Sequence, residues 1–106
     1  MVELALDHVF GALANGHRRD ILRRCGQGEQ TAGRLAVAYG LTLAAVAKHI
    51  GVLERAGLVV TRKVGTERRT GISQHGLTTA TDYLHDLEAY WNSQLDKLEA
   101  HLEQNP

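Results

Sequence analysis

Two helix starts in close succession restrict the fold of this chain more than any other feature. Thr31 and Thr42 each precede an apolar segment, and a threonine in that position can accept a hydrogen bond from the exposed amides of a helix start. Gly40 and Gly57 stand where the two helices would end. The second helix has one apolar stripe at spacings of three and four, formed by Leu43, Val46, Ile50 and Leu53.

The segment after the second helix predicts a β-hairpin. Residues 58–64 are rich in β-branched side chains, Gly65 to Glu67 can form a tight turn, and residues 68–73 can return as a second strand. We therefore predict a mainly α fold with a two-stranded β-hairpin, the winged helix-turn-helix. This fold places its second helix, the recognition helix, in the major groove of DNA. The helix-turn-helix would span residues 31–56 and the wing residues 58–73.

The outward face of the second helix and the hairpin are the candidate DNA-binding surfaces. On the helix, Lys48 can reach a phosphate or a guanine edge, and His49 can donate or accept a hydrogen bond. The cationic side chains of the hairpin can follow a phosphate ridge or enter a minor groove. The predicted DNA-binding residues are Thr42, Ala45, Lys48 and His49 on the helix and Arg62, Lys63, Arg68 and Arg69 on the wing.

The formal net charge is zero, but the positive charge is concentrated in the middle of the chain, where the predicted DNA-binding residues lie. Residues 17–72 hold eleven of the twelve Lys and Arg but only four of the twelve Asp and Glu, a net charge of +7. The two ends of the chain together carry −7. A basic centre between acidic ends is typical of a protein that binds phosphates through one face, and a solvated basic surface is the simpler alternative.

The two ends of the chain predict a homodimer. At 106 residues the chain is expected to form one domain, residues 1–106, with a modest core. The last helix, predicted over residues 77–103, has a long stripe close to a heptad seam, and a shorter stripe marks the first helix. We predict dimerisation through these N- and C-terminal helices, at Leu4, Phe10, Leu84, Leu87, Trp91, Leu95 and Leu98.

Three segments of the sequence, residues 10–22, 31–36 and 46–59, resemble the ArsR-type winged-helix repressors. They read FGALANGHRRDIL, TAGRLA and VAKHIGVLERAGLV, and the resemblance extends over nearly the whole chain. The ending, residues 90–102, is similar to a branch of that family with no obvious metal site. The resemblance implies a homodimeric repressor that leaves its operator when a signal arrives.

No metal or cofactor is expected. Metal sensors in this family often carry paired cysteines in the helix before the recognition helix, and residues 35–38 contain none. A second family site uses carboxylates and histidines of the last helix, and this chain has only a loose set there. A weak zinc site across a dimer is the alternative to a solvated face, with candidate ligands Asp82, His85, Asp96, Glu99 and His101.

Cys25 is the sole cysteine, so no disulfide can form within the chain. Its helical spacing from Ile21 and Leu22 favours a small buried apolar side chain. The alternative is a redox or electrophile sensor, a thiol-responsive repressor in which Arg23 and Arg24 lower the pKa of the thiol.

Asn15 is the predicted N-cap of a helix that precedes the helix-turn-helix, and Arg18 and Arg19 follow it. These arginines can contact the DNA backbone, or Arg19 can pair with an acidic residue of the fold. The family motif favours a structural role for one of them.

Other function classes fit less well. The chain has no nucleophile elbow, no phosphate-binding Gly-rich loop and no carboxylate pair that predicts an enzyme. It has no apolar run of membrane-spanning length and no signal-peptide start, so we expect a cytoplasmic protein without membrane contact. A dimeric interaction module that does not bind DNA specifically remains an alternative, because small residues occupy much of the recognition helix. The sequence identifies no small-molecule effector.

Overall fold

Five helices and one β-hairpin make up the fold in the computed structural model, which describes residues 4–104. The predicted fold class, mainly α with a two-stranded hairpin, is confirmed. The elements in chain order are α1 (Leu4–Leu13), α2 (Gly16–Gln27), α3 (Ala32–Tyr39), α4 (Leu43–Arg55), β1 (Val59–Val64), β2 (Glu67–Ile72) and α5 (His75–Gln104).

Local capping signals set the helix starts. Asn15, Thr31 and Thr42 each accept a hydrogen bond from the backbone N–H three residues further on, at 3.1, 3.3 and 3.1 Å. All three were predicted as N-caps from the sequence, and the structure confirms them. Gly40 ends α3 in the left-handed conformation, with φ of 65°, which glycine adopts without steric cost.

The hairpin closes through a two-residue loop. β1 and β2 are antiparallel, from the pair Val59 and Ile72 to the pair Val64 and Glu67, and only Gly65 and Thr66 lie between the strands. Gly65 has φ of 64°, and a positive φ at the first loop position is typical of the tight turns that match strand twist. The second strand thus begins at Glu67, one residue earlier than the sequence pattern predicts.

The core lies between α1, α2, α3, α4, the base of the hairpin and the first turns of α5. Ile21, Val46 and Leu53 have no exposed surface at all. A bridge of two backbone hydrogen bonds, 2.9 and 2.8 Å, joins Gln30 to Thr70 and holds the segment between α2 and α3 against β2. This bridge fixes the wing to the helical body.

The start of α5 packs directly on the end of α4. Gly76 donates from its backbone N–H to the Gly57 carbonyl at 2.8 Å. A Cβ at position 76 would lie 2.1 Å from the Ala56 carbonyl oxygen, which no real contact allows. Only glycine therefore permits this backbone approach.

Beyond this contact, α5 extends away from the body. Its buried residues are Gly76 and Ala80, both in the first two turns. The radius of gyration is 19.3 Å, whereas a compact domain of this length has about 13 Å. The longest dimension, 69 Å, is accordingly more than twice the other two, 27 and 25 Å.

Within residues 4–104, no single helix is both long and apolar enough to cross a bilayer. The α3 and α4 pair, bent by 116° at the break, reaches the length and composition of a span when the two helices are joined.

Candidate nucleic-acid interface

The N-terminal half of α4 presents the predicted recognition residues. Thr42 and Lys48 are exposed, and Ala45 and His49 are partly exposed. Thr42 Oγ1 accepts from the Ala45 N–H, so this hydroxyl already caps the helix while its own hydrogen can still be donated. Lys48 forms no ion pair within the described part of the chain, which leaves its ammonium group available for an anion.

His49 is in contact with α2. Its Nδ1 lies 3.2 Å from Arg18 Nη1, and its ring centroid is 5.8 Å from that of His17. Burial lowers the pKa of His49, and the positive charge of Arg18 lowers it further, with smaller contributions from His17 and Lys48. The imidazole is therefore held in its neutral form near neutral pH.

Arg18 and Arg19 both bind the C-terminal end of α1. Arg18 donates to the Ala12 and Gly11 carbonyls, at 2.8 and 3.1 Å, and Arg19 donates to the Leu13 carbonyl at 2.7 Å. Cations at this helix end satisfy its free carbonyls and its partial negative charge. The two arginines thus have structural partners, and the acid considered for Arg19 is not among its hydrogen-bond partners in the described chain.

Acidic partners hold two of the four wing cations. Arg62 makes a two-point contact with Glu29, with both N–O distances at 2.7 Å, and Arg69 lies 3.2 Å from Glu67. The hydrogen bond with Arg62 lowers the pKa of the Glu29 carboxyl. In the free protein these two guanidinium groups already have anionic partners.

Lys63 and Arg68 form the other wing pair. They are cross-strand neighbours, and side chains of a strand alternate, so this pair points to the opposite face of the hairpin from Arg62 and Arg69. Arg68 lines an open cavity of about 120 Å³ together with Ala47, Ile50 and Glu54 of α4. Neither Lys63 nor Arg68 forms an ion pair within residues 4–104. The wing cations without acidic partners therefore lie on the side of the recognition helix.

A polar cluster joins α2 to α3 behind the recognition helix. The Tyr39 hydroxyl donates to Asp20, whose carboxylate also accepts from Arg23 and Arg24. These donors, Tyr39 foremost, hold the pKa of Asp20 far below its usual range. Burial and the hydrogen bond to Asp20 raise the pKa of Tyr39 to about 12. His17 packs edge-on against Tyr39 at 5.2 Å, which links this cluster to His49.

Cys25 lies inside the core, with 4% of its surface exposed. Burial raises the pKa of its thiol, and its Sγ lies 3.6 Å from the Thr70 carbonyl oxygen. Arg23 and Arg24, which were considered as groups that lower this pKa, bind Asp20 instead. This environment is that of an inert packed cysteine and favours the packing role over the sensor role.

The predicted dimerisation residues lie on the outside of the chain. Trp91, Leu95 and Leu98 each expose more than half of their surface, as does Leu4. Leu84 is also exposed, Leu87 is partly buried, and Phe10 packs edge-on against Tyr83 at 6.2 Å. Ala80, nearer the start of the same helix, belongs to the core of its own chain.

The carboxylates and histidines named as candidate zinc ligands are all exposed on α5. Within residues 4–104 of this single chain, no group of three or more His, Cys, Asp or Glu side chains is arranged to hold a metal ion.

Sequence reasoning missed two partners that define the site. Glu29 as the partner of Arg62 had no local signal, because the two residues are 33 positions apart. The contact between Arg18 and His49 was also unforeseen, although the placement of Arg18 just after the N-cap of α2 was recognised.

Comparison with known proteins agrees with this geometry. A helix-turn-helix domain family matches residues 13–62. The HTH-type transcriptional regulator Rv2034 of Mycobacterium tuberculosis is 35% identical over 89 residues, which cover 84% of this chain and 80% of that protein.

Solved structures show the same similarity. An ArsR-like transcriptional regulator from Rhodococcus sp. RHA1 has a TM-score of 0.81 at 32% identity, with 92% of each chain covered. The homodimeric winged helix-turn-helix DNA-binding domain of a possible ArsR-family transcriptional regulator from Mycobacterium bovis has a TM-score of 0.62 at 27% identity, covering 87% of this chain and 82% of that one. This chain therefore belongs to the ArsR-type family of winged helix-turn-helix transcriptional regulators.

Proposed function

We propose that this regulator is a homodimeric repressor that binds an inverted-repeat operator through α4 and the wing. The observation that carries the proposal is the grouping of unpaired cations: Lys48 on α4, and Lys63 and Arg68 on the hairpin face directed to α4. Acidic side chains neutralise the other wing arginines, Arg62 and Arg69, in the free protein. A surface that keeps its cations free on one side is suited to a phosphate backbone.

The two parts of this surface would have different tasks. Lys48 and His49, in the N-terminal half of α4, would contact base edges in the major groove. Lys63 and Arg68 would contact phosphates, which strengthens binding to any duplex without reading its sequence. Thr42 and Ala45 would lie against the DNA backbone or a thymine methyl group.

The dimer is supported by the unpartnered side of α5. Trp91, Leu95 and Leu98 expose large apolar surfaces, an arrangement that a second copy of the chain would cover. The Mycobacterium bovis domain of similar fold is homodimeric. A two-fold dimer presents two recognition helices, so its operator should contain two inverted half-sites about one DNA turn apart.

A selection from a random duplex library at near-physiological salt tests the proposal, followed by titration of the selected duplex against a scrambled one. We expect an inverted repeat that binds at least roughly 1000-fold more tightly than the scrambled duplex. Repression would then be measured with a reporter gene behind the selected operator. Weak binding without sequence preference would contradict the proposal.

The proposed phosphate contacts of Lys63 and Arg68 can be tested by comparing this pair with Arg62 and Arg69. Replacing Lys63 and Arg68 by alanine should weaken binding to all duplexes. It should reduce the slope of log K against log salt by about 4, because each subunit of the dimer loses two phosphate contacts. The same change at Arg62 and Arg69 should have a smaller effect on the slope, because these cations must first leave Glu29 and Glu67. Equal effects of the two pairs would contradict the assignment.

Two alternatives make different predictions. An interaction module without specific DNA binding is favoured by the small residues of α4, namely Ala44, Ala45, Ala47 and Gly51, and would show no selected operator. A thiol-responsive repressor would lose its release by oxidants or alkylators when Cys25 is replaced by serine. The burial of Cys25 instead leads us to expect the same response in the parent and in Cys25→Ser.

A further inference from the structure

We propose that Arg18 is a positioning residue for DNA readout, because it fixes the His49 imidazole in the tautomer that carries its hydrogen on Nε2. The inference rests on the proposed function and deepens it. Its basis is the 3.2 Å contact between Arg18 Nη1 and His49 Nδ1, which joins α2 to the recognition helix α4.

The chemistry of the two groups decides the direction of this hydrogen bond. A guanidinium group has only donors and stays protonated at every physiological pH, so the nitrogen that faces it must accept. His49 Nδ1 therefore keeps its lone pair, and the hydrogen of the neutral ring is on Nε2. The charged groups around the ring, Arg18 from α2 and Lys48 from α4, disfavour the imidazolium form, with a further contribution from His17.

The orientation of Arg18 is itself fixed by α1. Its Nε donates to the Ala12 carbonyl at 2.8 Å and its Nη2 donates to the Gly11 carbonyl at 3.1 Å. All three guanidinium nitrogens thus have a partner, and the third is aimed at His49. The end of α1 therefore sets the position from which Arg18 holds the ring.

This tautomer leaves His49 one hydrogen-bond donor, the Nε2–H, with which to contact DNA. Nε2 lies across the ring from Arg18 and is the remaining polar atom of a partly exposed side chain. An N–H there can bind guanine O6 or N7, adenine N7, thymine O4 or a phosphate oxygen, but not the amino group of cytosine. We expect the operator to place such an acceptor, and not a cytosine, at the base that His49 contacts.

Imidazole ¹⁵N spectra of the DNA-free protein at pH 7.5 test the tautomer directly. We expect His49 to be neutral, with its hydrogen on Nε2. In Arg18→Met this preference should weaken, whereas Arg19→Met, which loses a bond to the same end of α1, should keep it. A parent protein with the hydrogen on Nδ1, or with a charged ring, would overturn the inference.

DNA binding supplies the second readout. Arg18→Met should lower the ratio of affinities for selected and scrambled duplexes by about fivefold to tenfold for each half-site, the worth of one hydrogen bond. Arg19→Met should leave the ratio unchanged. Both His49→Gln and His49→Asn supply an amide donor that does not depend on Arg18. The Gln amide reaches about as far as Nε2 and the Asn amide only about as far as Nδ1, so His49→Gln should retain more of the ratio than His49→Asn. This comparison does not require Arg18→Met to fold, and equal losses in the two His49 variants would count against the inference.

The two readouts separate the inference from the proposed function. The expected tautomer in a protein that selects no duplex would overturn the proposed function, and the readout role with it. The other tautomer in a protein that selects an operator would overturn the inference alone.

Discussion

The helical body and the distal part of α5 differ in how they use apolar residues. In the body, Ile21, Val46 and Leu53 are completely buried, and helices α1 to α4 cover one another. In α5, residues beyond Ala80 include five large apolar side chains that expose half or more of their surface, Leu84, Trp91, Leu95, Leu98 and Leu102. The body completes its core within one chain, whereas distal α5 leaves an apolar surface exposed, which we propose a second copy covers.

This difference explains why the sequence combines a small core with a very long helix. Thirty helical residues extend about 45 Å, far beyond a body of this size. From Leu77 to Leu102 the apolar stripe repeats about every 3.6 residues, so it stays on one side of a straight helix. A surface of this length and direction is suited to an antiparallel or parallel copy of itself.

The largest effect is expected from substitutions that disrupt the apolar stripe of distal α5 and leave the body unchanged. Trp91→Glu combined with Leu95→Glu would place two charges in the proposed dimer interface. We expect the dimer dissociation constant to rise by roughly 1000-fold or more, since two buried interface anchors worth about 2 kcal/mol each amount to about 4 kcal/mol. Sedimentation velocity over a concentration series measures the change.

The matched control for this pair is on the same helix. Ser93→Glu combined with Ala100→Glu adds the same charge on the opposite face of α5 and should leave the dimer intact. Dissociation by the control pair, or a dimer that persists in Trp91→Glu with Leu95→Glu, would refute the assignment of the stripe.

The next largest effect is expected at the junction of the two regions, where the start of α5 packs on the end of α4. Gly76→Ala should destabilise the fold by about 1–3 kcal/mol, because its Cβ would meet the Ala56 carbonyl oxygen and only a backbone shift could relieve the clash. Gly51→Ala, where the new Cβ meets only the flexible end of Arg55 at 3.8 Å, should instead stabilise by about 0.5–1 kcal/mol. Urea unfolding of both variants gives the comparison, and a neutral Gly76→Ala would show that the junction can open.

The smallest effect concerns the polar cluster of the body. The pKa of Asp20 is lowered in the folded state by Tyr39, Arg24 and Arg23, so its contribution to stability is fully present above the unfolded pKa of about 4. It is lost as pH falls below that value. The free energy of unfolding should therefore decrease more steeply between pH 4 and pH 2 in the parent than in Asp20→Asn.

Asp86→Asn, at an exposed position of α5, is the control for this titration and should keep the steep decrease of the parent. Parallel curves for the parent and Asp20→Asn would mean that the cluster does not stabilise the fold.

Much of the body could be predicted from sequence because its signals are local. The N-caps Asn15, Thr31 and Thr42 each act three residues away, and Gly40 and Gly65 adopt the positive φ that turns require. Signals of this kind depend on neighbours in the chain, so a single sequence contains them.

The contacts of the candidate site could not be predicted in the same way. Arg62 reaches Glu29 across 33 positions, and Arg18 reaches His49 across 31. A basic residue in a sequence does not reveal which acid is close after folding. The summed charge of the centre therefore overstates the cations available to DNA, and only the folded chain separates Lys63 and Arg68 from the two neutralised wing arginines.

The most direct test of the account is the number of chains bound to one duplex. Native mass spectrometry of the protein on its selected operator should show two chains per duplex, and one chain or none with Trp91→Glu and Leu95→Glu. A single parent chain bound specifically to the operator would contradict the claim that distal α5 completes the regulator by pairing with a second copy.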